Sequence, residues 1–138
     1  MASYLNIKPV YGTIEVGHIH YSPALQNRCA ATEAMYLMMG NAFDIGYRRY
    51  EWKCTALNQR SRRAAARYVF FYKGLFRQHM VVRDHNRDSA WFACVDGEWP
   101  QLKAAYETWL DPPNFHEADQ QRQSLSALTD PILVAREQ

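Results

Sequence analysis

The sequence predicts an α/β domain, a mixed sheet whose strands alternate with helices. Segments in which apolar and polar residues alternate, typical of strands with one buried face, are separated by segments whose apolar residues recur every three or four positions, typical of amphipathic helices. The 138 residues are 48% hydrophobic and 14% aromatic, which suffices for one folded core. We expect a single domain over residues 1–110 and a polar tail over residues 111–138.

The composition narrows the class of protein. No run approaches the roughly 18 apolar residues that a membrane span needs, and the N-terminus lacks the features of a secretory signal. The cysteines, Cys29, Cys54 and Cys94, are an odd number without metal-site spacing, which favours free thiols and no bound metal. We expect a cytoplasmic protein that binds no membrane.

The middle of the chain is basic, although the net charge is only +2. Residues 48–87 hold eleven of the 16 Lys and Arg residues. Such a charge attracts nucleic acid or a phosphorylated small molecule equally well. The aromatic residues of this segment alternate onto a face that we expect to be buried, which disfavours a stacking surface for bases. A small basic nucleic-acid-binding module is therefore the less favoured alternative, and we expect no nucleic-acid partner.

The first half of the chain predicts a hairpin followed by a long helix. Residues 2–8 and 13–21 alternate around the turn at residues 9–12, and an apolar stripe then predicts a helix over about residues 27–42. Gly46 is the expected C-terminal stop of this helix. The stripe consists of Ala31, Ala34, Met35, Met38 and Ala42, with Leu37 nearby.

The second half predicts further strands and helices in alternation. They are a strand over residues 47–56 with Tyr50, Trp52 and Cys54 inward, a short helix over 61–67, strands over 70–82 and 89–95 joined by the polar residues 83–88, and an amphipathic helix over 99–110. The tail beyond residue 111 is rich in Gln and Ser, and we expect it to be extended or partly disordered.

The junction between the second strand and the first helix carries the strongest functional signal. A short loop that leads into a helix leaves backbone N–H groups unpaired at the positive end of the helix dipole. Residues 27–32 are therefore a candidate phosphate or pyrophosphate site. Ordinary capping and dipole compensation by Thr32 and Glu33 would produce the same pattern. The polar start of the next helix, with Asn58 and Ser61 beside the same cleft, favours the binding site.

Several motifs, taken in order, resemble the GNAT superfamily of N-acetyltransferases. They are Gly17-x-x-x-Tyr21-Ser22-Pro23, Gln26-x-x-x-x-Ala31-Thr32-Glu33-Ala34, Asn58-x-x-Ser61-x-x-Ala64-Ala65 and an aromatic-glycine turn from Phe70 to Gly74. The resemblance covers residues 2–110, and the nearest branch looks like the ribosomal-protein N-acetyltransferases. It implies a mixed sheet in which two neighbouring strands splay apart and acyl-CoA lies between them.

The resemblance also implies roles in binding acetyl-CoA. Ile19, His20 and Tyr21 would bond the pantetheine arm through their backbone, and Asn58 would bond it through its side chain. Gln26 or Arg28 would cover the phosphates. The backbone N–H groups that would hold the pyrophosphate are those of Asn27, Arg28, Cys29, Ala30, Ala31 and Thr32.

For the chemistry, the resemblance implies direct transfer of acetyl to an amine without a nucleophilic enzyme residue. Ser61 would protonate the leaving thiolate. The acceptor amine must lose a proton, and Glu15, His18 and His20 lie on the strand nearest the cleft as candidate bases. Because side chains alternate along a strand, Glu15 faces the opposite side from the two histidines.

The chain departs from the family pattern at Cys29 and Val69, where glycines are usual, and it matches the family only from the third strand onward. The resemblance implies N-acetyl transfer to a primary amine of a protein or small molecule. Because the acceptor side is unmatched, the class of amine stays open. A truncated, non-catalytic acyl-CoA-binding or interaction protein is the alternative. The uncovered strand edge at residues 2–8 favours a homodimer.

Overall fold

The computed structural model describes residues 1–117 and 120–134. Five strands form one mixed sheet in the order β1-β2-β3-β5-β4, which confirms the predicted α/β class. The strands are β1 (Ser3–Lys8), β2 (Thr13–Gly17), β3 (Arg49–Thr55), β4 (Phe71–Val82) and β5 (His85–Val95). The helices are α1 (Cys29–Asp44), α2 (Gln59–Arg67), α3 (Trp99–Leu110) and α4 (Leu125–Val134), with 3-10 turns at Pro9–Tyr11 and Pro112–Asn114.

Among the strands of the described residues, one pair of neighbours is parallel. β2 pairs with β3 in parallel, whereas β1 with β2, β3 with β5 and β5 with β4 are antiparallel. A parallel pair needs a crossover connection, and α1 provides it. β1 and β4 are the edge strands.

One face of the sheet carries the core. The alternation predicted for β3 is confirmed, since Tyr50, Trp52 and Cys54 are all buried. Side chains from all four helices join them in one apolar cluster, among them Met35, Met39, Ala65, Leu102, Tyr106 and Leu125. The other face of β2 and β3 carries charged side chains, including the pair of Glu15 and Lys53.

The long helix lies two residues later in the chain than predicted, at Cys29–Asp44. Its C-terminal stop is confirmed, because Gly46 has φ +98° and the Tyr47 amide bonds the Ala42 carbonyl at 3.1 Å. The prediction for Leu37 is wrong. This side chain is 59% exposed, since the buried stripe passes through Met35 and Met39 instead.

The hairpin loop is shorter than predicted. The polar residues 83–88 were expected to form a loop, yet β5 begins at His85 and only Arg83 and Asp84 form the turn. Both have positive φ, +50° and +62°, the backbone that matches the twist of two strands joined by two residues.

The prediction of an extended tail is wrong for residues 125–134, which form α4. Leu125 and Thr129 are each 1% exposed, and Leu128 and Ile132 also pack against the core. Their spacing of three and four residues gives an apolar stripe that Pro131 and the polar neighbours conceal in the sequence. The parts of the tail prediction that fall on residues 118–119 and 135–138 lie outside the described residues.

Candidate functional site

The parallel strands β2 and β3 pair over part of their length and then separate. Their register runs from Thr13 opposite Arg49 to Val16 opposite Trp52. β3 continues for three residues beyond Trp52, and these pair with β5 alone. We call the space between residues 17–21 and 53–55 the strand gap.

A bulge turns the chain away at the end of β2. The strand ends at Gly17 and not at Tyr21 as predicted, and His18 has φ +49°. Pairing with the first strand resumes at His20, whose amide and carbonyl bond the carbonyl and amino group of Met1 at 2.7 and 2.6 Å. One strand thus advances three residues while the other advances two. The extra residue shifts the alternation by one position, because Ile14 and Val16 face the core before the bulge and Ile19 packs against it afterwards.

This pairing corrects one predicted contact. The backbone of His20 was expected to bond the pantetheine arm, but both of its polar groups bond Met1. In the described residues no backbone–backbone hydrogen bond of Ile19 or Tyr21 is found, so their backbone groups remain candidates for the pantetheine arm. The Tyr21 carbonyl accepts a hydrogen bond from Gln26 Nε2 at 2.8 Å. The Gln26 side chain therefore braces the loop, and its predicted contact with phosphate remains a prediction.

The N-terminus of α1 has no side-chain cap. Arg28 at the N-cap position is extended, and Asn27 before it has φ +59°. In the described part of the chain, the amides of Asn27 and Ala30 donate to no backbone carbonyl. These two N–H groups lie at the positive end of a 16-residue helix without an acidic residue in its first turn, an arrangement suited to an anion.

The set of amides predicted to hold the pyrophosphate is therefore smaller than expected. The Arg28 amide bonds the Leu25 carbonyl at 3.3 Å, and the Ala31 amide bonds the Arg28 carbonyl at 3.1 Å. The Thr32 amide, at the fourth helical position, likewise donates to no backbone carbonyl outside α1 in the described residues and stays in the candidate set. Cys29 begins the helix and is half-buried, and its side chain packs against the core.

Ser61 is linked to the point where the strand gap begins. The Trp52 indole N–H donates to Ser61 Oγ at 3.0 Å, and Trp52 belongs to the last pair between β2 and β3. Asn58 caps α2, because its Oδ1 accepts the Ser61 amide at 3.0 Å. The capping alternative is thus correct for Asn58 Oδ1. The side-chain amide nitrogen of Asn58 can still donate to a ligand.

The candidate bases are held by different partners. Glu15 is 3% exposed, and its Oε2 accepts a hydrogen bond from Asn6 Nδ2 at 2.6 Å and lies 3.5 Å from Lys53 Nζ. His18 is exposed, with Nδ1 3.0 Å from Ser3 Oγ at the sheet edge. The structure therefore does not bring Glu15 and His18 together.

Buried hydroxyl groups form a second feature near β3 that sequence reasoning missed. The hydroxyls of Tyr21 and Tyr50 are buried and find no hydrogen-bond partner among the described residues. Burial raises the pKa of Tyr50 well above its usual value, and the neighbouring Tyr4 and Tyr21 raise it further. Burial likewise raises the pKa of Tyr21, with a smaller contribution from Tyr68. Unsatisfied polar groups of this kind are costly and therefore mark candidate ligand contacts.

No helix in the described ranges is long and apolar enough to cross a membrane. Within the same residues, no three His, Cys, Asp or Glu side chains are grouped to hold a metal ion.

Comparison with solved structures gives close matches. A GCN5-related N-acetyltransferase from Brucella melitensis is 51% identical and superimposes with a TM-score of 0.90, and the match covers 94% of this chain and 59% of that one. A protein from Chromobacterium violaceum, described as a probable acetyltransferase of the GNAT family, is 44% identical with a TM-score of 0.69, over 72% and 50% of the two chains. No family profile and no curated protein matches the sequence.

A ribosomal-protein acetyltransferase, RimL, in complex with coenzyme A, shares the fold at 23% identity with a TM-score of 0.60, over 69% of this chain and 54% of that one. The chain thus spans between half and three fifths of the length of these neighbours. The splayed parallel strands and these matches agree, and the chain belongs to the GNAT (GCN5-related N-acetyltransferase) superfamily.

Proposed function

We propose that this protein transfers acetyl from acetyl-CoA to a primary amine. The observation that carries the proposal is the strand gap, whose start is marked by Trp52 in contact with Ser61. A thioester arm added along β2 would satisfy the backbone groups that the departing β3 leaves unpaired. The coenzyme A complex of RimL, a protein of the same fold, supports this choice of ligand.

In this proposal the amides of Asn27 and Ala30 bind the pyrophosphate, and the backbone of Ile19 bonds the pantetheine arm. Exposed arginines of α2, Arg60 and Arg63, bind phosphate at the nucleotide end. In the described structure, the amides of Asn27 and Ala30 and the backbone groups of Ile19 make no backbone–backbone hydrogen bond, and the two arginine side chains are exposed. A phosphorylated cofactor bound by these arginines would account for the basic middle of the chain without a nucleic-acid partner.

The two candidate catalytic groups lie on opposite faces of the sheet. Ser61 contacts Trp52 on the helix-covered face, whereas Glu15 lies opposite Glu51 and beside Lys53 on the other face. Ser61 therefore protonates the leaving sulfur from one side of the strand gap. Glu15 accepts the amine proton on the other side, directly or through water.

A non-catalytic acyl-CoA-binding protein is the second candidate function. The Glu15 carboxylate already contacts Lys53 and Asn6, which restrains it as a base. The matches cover 59% and 50% of the two neighbours' own lengths. Binding without turnover is the result that this candidate expects.

The state of the cysteines supports a cytoplasmic location. Cys29, Cys54 and Cys94 are all free thiols. Free thiols persist in a reducing compartment, which supports the cytoplasm.

The first experiment measures binding. Thermal unfolding of the 138-residue chain is followed with acetyl-CoA, with CoA and with single-stranded oligonucleotides. The proposal expects stabilisation by both coenzyme forms at micromolar concentration and none by oligonucleotides. Stabilisation by oligonucleotides alone would replace the proposal with the nucleic-acid alternative.

The second experiment measures turnover. Acetylated product is detected by mass spectrometry, because the three free thiols of the chain would react with a chromogenic thiol reagent. The amine panel contains a peptide N-terminus, a lysine side chain, a polyamine and a small aromatic amine. Product from one class identifies the acceptor, whereas binding without product in the whole panel supports the non-catalytic candidate.

A further inference from the structure

The contact between Trp52 and Ser61 fixes the direction of a hydroxyl group. An indole nitrogen can only donate a hydrogen bond, so Ser61 Oγ is the acceptor in the 3.0 Å contact. One lone pair of Ser61 is thereby occupied. The hydroxyl proton of Ser61 must then point away from Trp52.

Among the described residues, the hydroxyl proton of Ser61 has no hydrogen-bond acceptor. A serine in a helix commonly donates back to the carbonyl four residues earlier. Here, over residues 1–117 and 120–134, no hydrogen bond donated by Ser61 Oγ is found. The Ser61 amide is held by Asn58 Oδ1, which fixes the backbone from which the hydroxyl extends.

Trp52 itself is closely packed. It is 4% exposed, and its ring packs edge-on against Phe70 and tilted against Tyr68, with centroids 5.5 and 6.1 Å away. It also stands in the last pair of β2 and β3, opposite Val16. The indole is thus a fixed donor at the start of the strand gap.

We propose that Trp52 is the positioning residue for Ser61, holding its hydroxyl so that the proton is directed at the sulfur of a thioester in the strand gap. The inference rests on the proposed function and adds a residue to it. Donation from Trp52 to Ser61 Oγ also polarises the hydroxyl and makes it a stronger donor. The positive end of α2, where Ser61 is the third helical residue, favours negative charge on the sulfur.

The transfer forms one C–N bond and breaks one C–S bond. The amine nitrogen forms a bond to the acetyl carbon and loses a proton to the base. The C–S bond then breaks and its electron pair remains on sulfur, which receives the Ser61 proton. Ser61 Oγ recovers a proton from solvent water, the protonated base releases its proton to solvent, and Trp52 keeps its own proton throughout.

The first test is Trp52→Phe, which removes the indole N–H and keeps an aromatic ring in the core. We expect kcat to fall about tenfold, while the KM for acetyl-CoA changes less than about twofold, because the contact acts on the leaving sulfur and not on binding. The matched control is Trp109→Phe. Trp109 is 2% exposed and donates its indole N–H to Gln121 Oε1 at 2.8 Å, a contact that involves neither Ser61 nor β3, so kcat should not change in this variant.

The second test combines variants. Ser61→Ala should lower kcat about a hundredfold, and adding Trp52→Phe should lower it no further, because Trp52 acts only through Ser61. Equal extra losses in the presence and absence of Ser61 would assign Trp52 a packing role and overturn the inference.

A third measurement needs no activity. The chain has four tryptophans, so four indole N–H resonances are expected in a ¹⁵N-labelled sample and Trp→Phe variants assign them. The Trp52 resonance should move upfield in Ser61→Ala, whereas an unmoved resonance would overturn the inference. A wild-type protein without turnover refutes the proposed function, and normal kcat in Trp52→Phe refutes this inference alone.

Discussion

The Glu15 carboxylate lies 3.5 Å from the Lys53 ammonium, on the sheet face opposite the one that Ser61 contacts. Lys53 Nζ also lies 5.0 Å from the centre of the Trp91 ring. A buried carboxylate with one cationic partner is strongly destabilised when that partner is lost. The contact with Lys53 therefore stabilises the same carboxylate that is proposed as the base.

Replacing Glu15 tests its role as the base. Glu15→Gln removes the charge but keeps the shape of the side chain and an oxygen that can accept the hydrogen bond from Asn6. We expect kcat to fall about a hundredfold with little change in acetyl-CoA affinity. Glu51→Gln is the matched control, since Glu51 is the cross-strand neighbour of Glu15 and pairs with the exposed Arg49. Equal turnover in both variants would remove Glu15 from the mechanism.

Removing one amide tests the pyrophosphate site. Ala30→Pro deletes a single N–H in the first turn of α1, where proline is tolerated. A hydrogen bond to a charged group contributes about 1.5–3 kcal/mol, so acetyl-CoA should bind at least about tenfold more weakly in calorimetry. S-acetyl-pantetheine, which has no pyrophosphate, should bind the wild type and the variant equally. A parallel loss for both ligands would indicate a damaged loop instead.

Val69 combines full burial with a strained backbone. It follows the C-terminus of α2 with φ +59°, although its side chain is 0% exposed. The left-handed conformation costs about 1–2 kcal/mol for a residue with a Cβ, and glycine escapes this cost. Val69→Gly should therefore be at least as stable as Val69→Ala in urea unfolding. At the buried helical position Ala65, the change to Gly should cost about 1 kcal/mol in the usual direction.

The last helix should contribute to stability. Leu125 is 1% exposed in α4, and Leu125→Ala should lower the free energy of unfolding by about 2–5 kcal/mol. The exposed neighbour Ser126 is the control, with an expected change for Ser126→Ala within about 0.5 kcal/mol. Equal stability of the two variants would indicate that residues 125–134 do not pack on the core and belong to the extended tail that the sequence predicted.

Local patterns predicted the elements that have a clear period. The alternation of Tyr50, Trp52 and Cys54 determined the face of β3 correctly, and Gly46 correctly ended α1. The bulge at His18 was missed, because the shift in alternation from Ile14 and Val16 to Ile19 rests on a single apolar residue.

The contacts of the site depend on tertiary structure. Trp52 was assigned to the core, which is correct for its ring, but its N–H contact with Ser61 arises only when α2 folds back on β3. The amides that remain available at the start of α1 likewise depend on which loop carbonyls approach them. The family resemblance predicted the strand gap, whereas the pairing of Glu15 with Lys53 required the register of the sheet.

The central claim is that acetyl-CoA binds along the strand gap with its pyrophosphate at the start of α1. Titration of the ¹⁵N-labelled chain with acetyl-CoA tests it most directly, amide by amide. The account predicts the largest chemical-shift changes at Asn27, Ala30 and Ile19 and at the Trp52 indole. Changes confined to the β4–β5 hairpin, or no changes at millimolar acetyl-CoA, would contradict it.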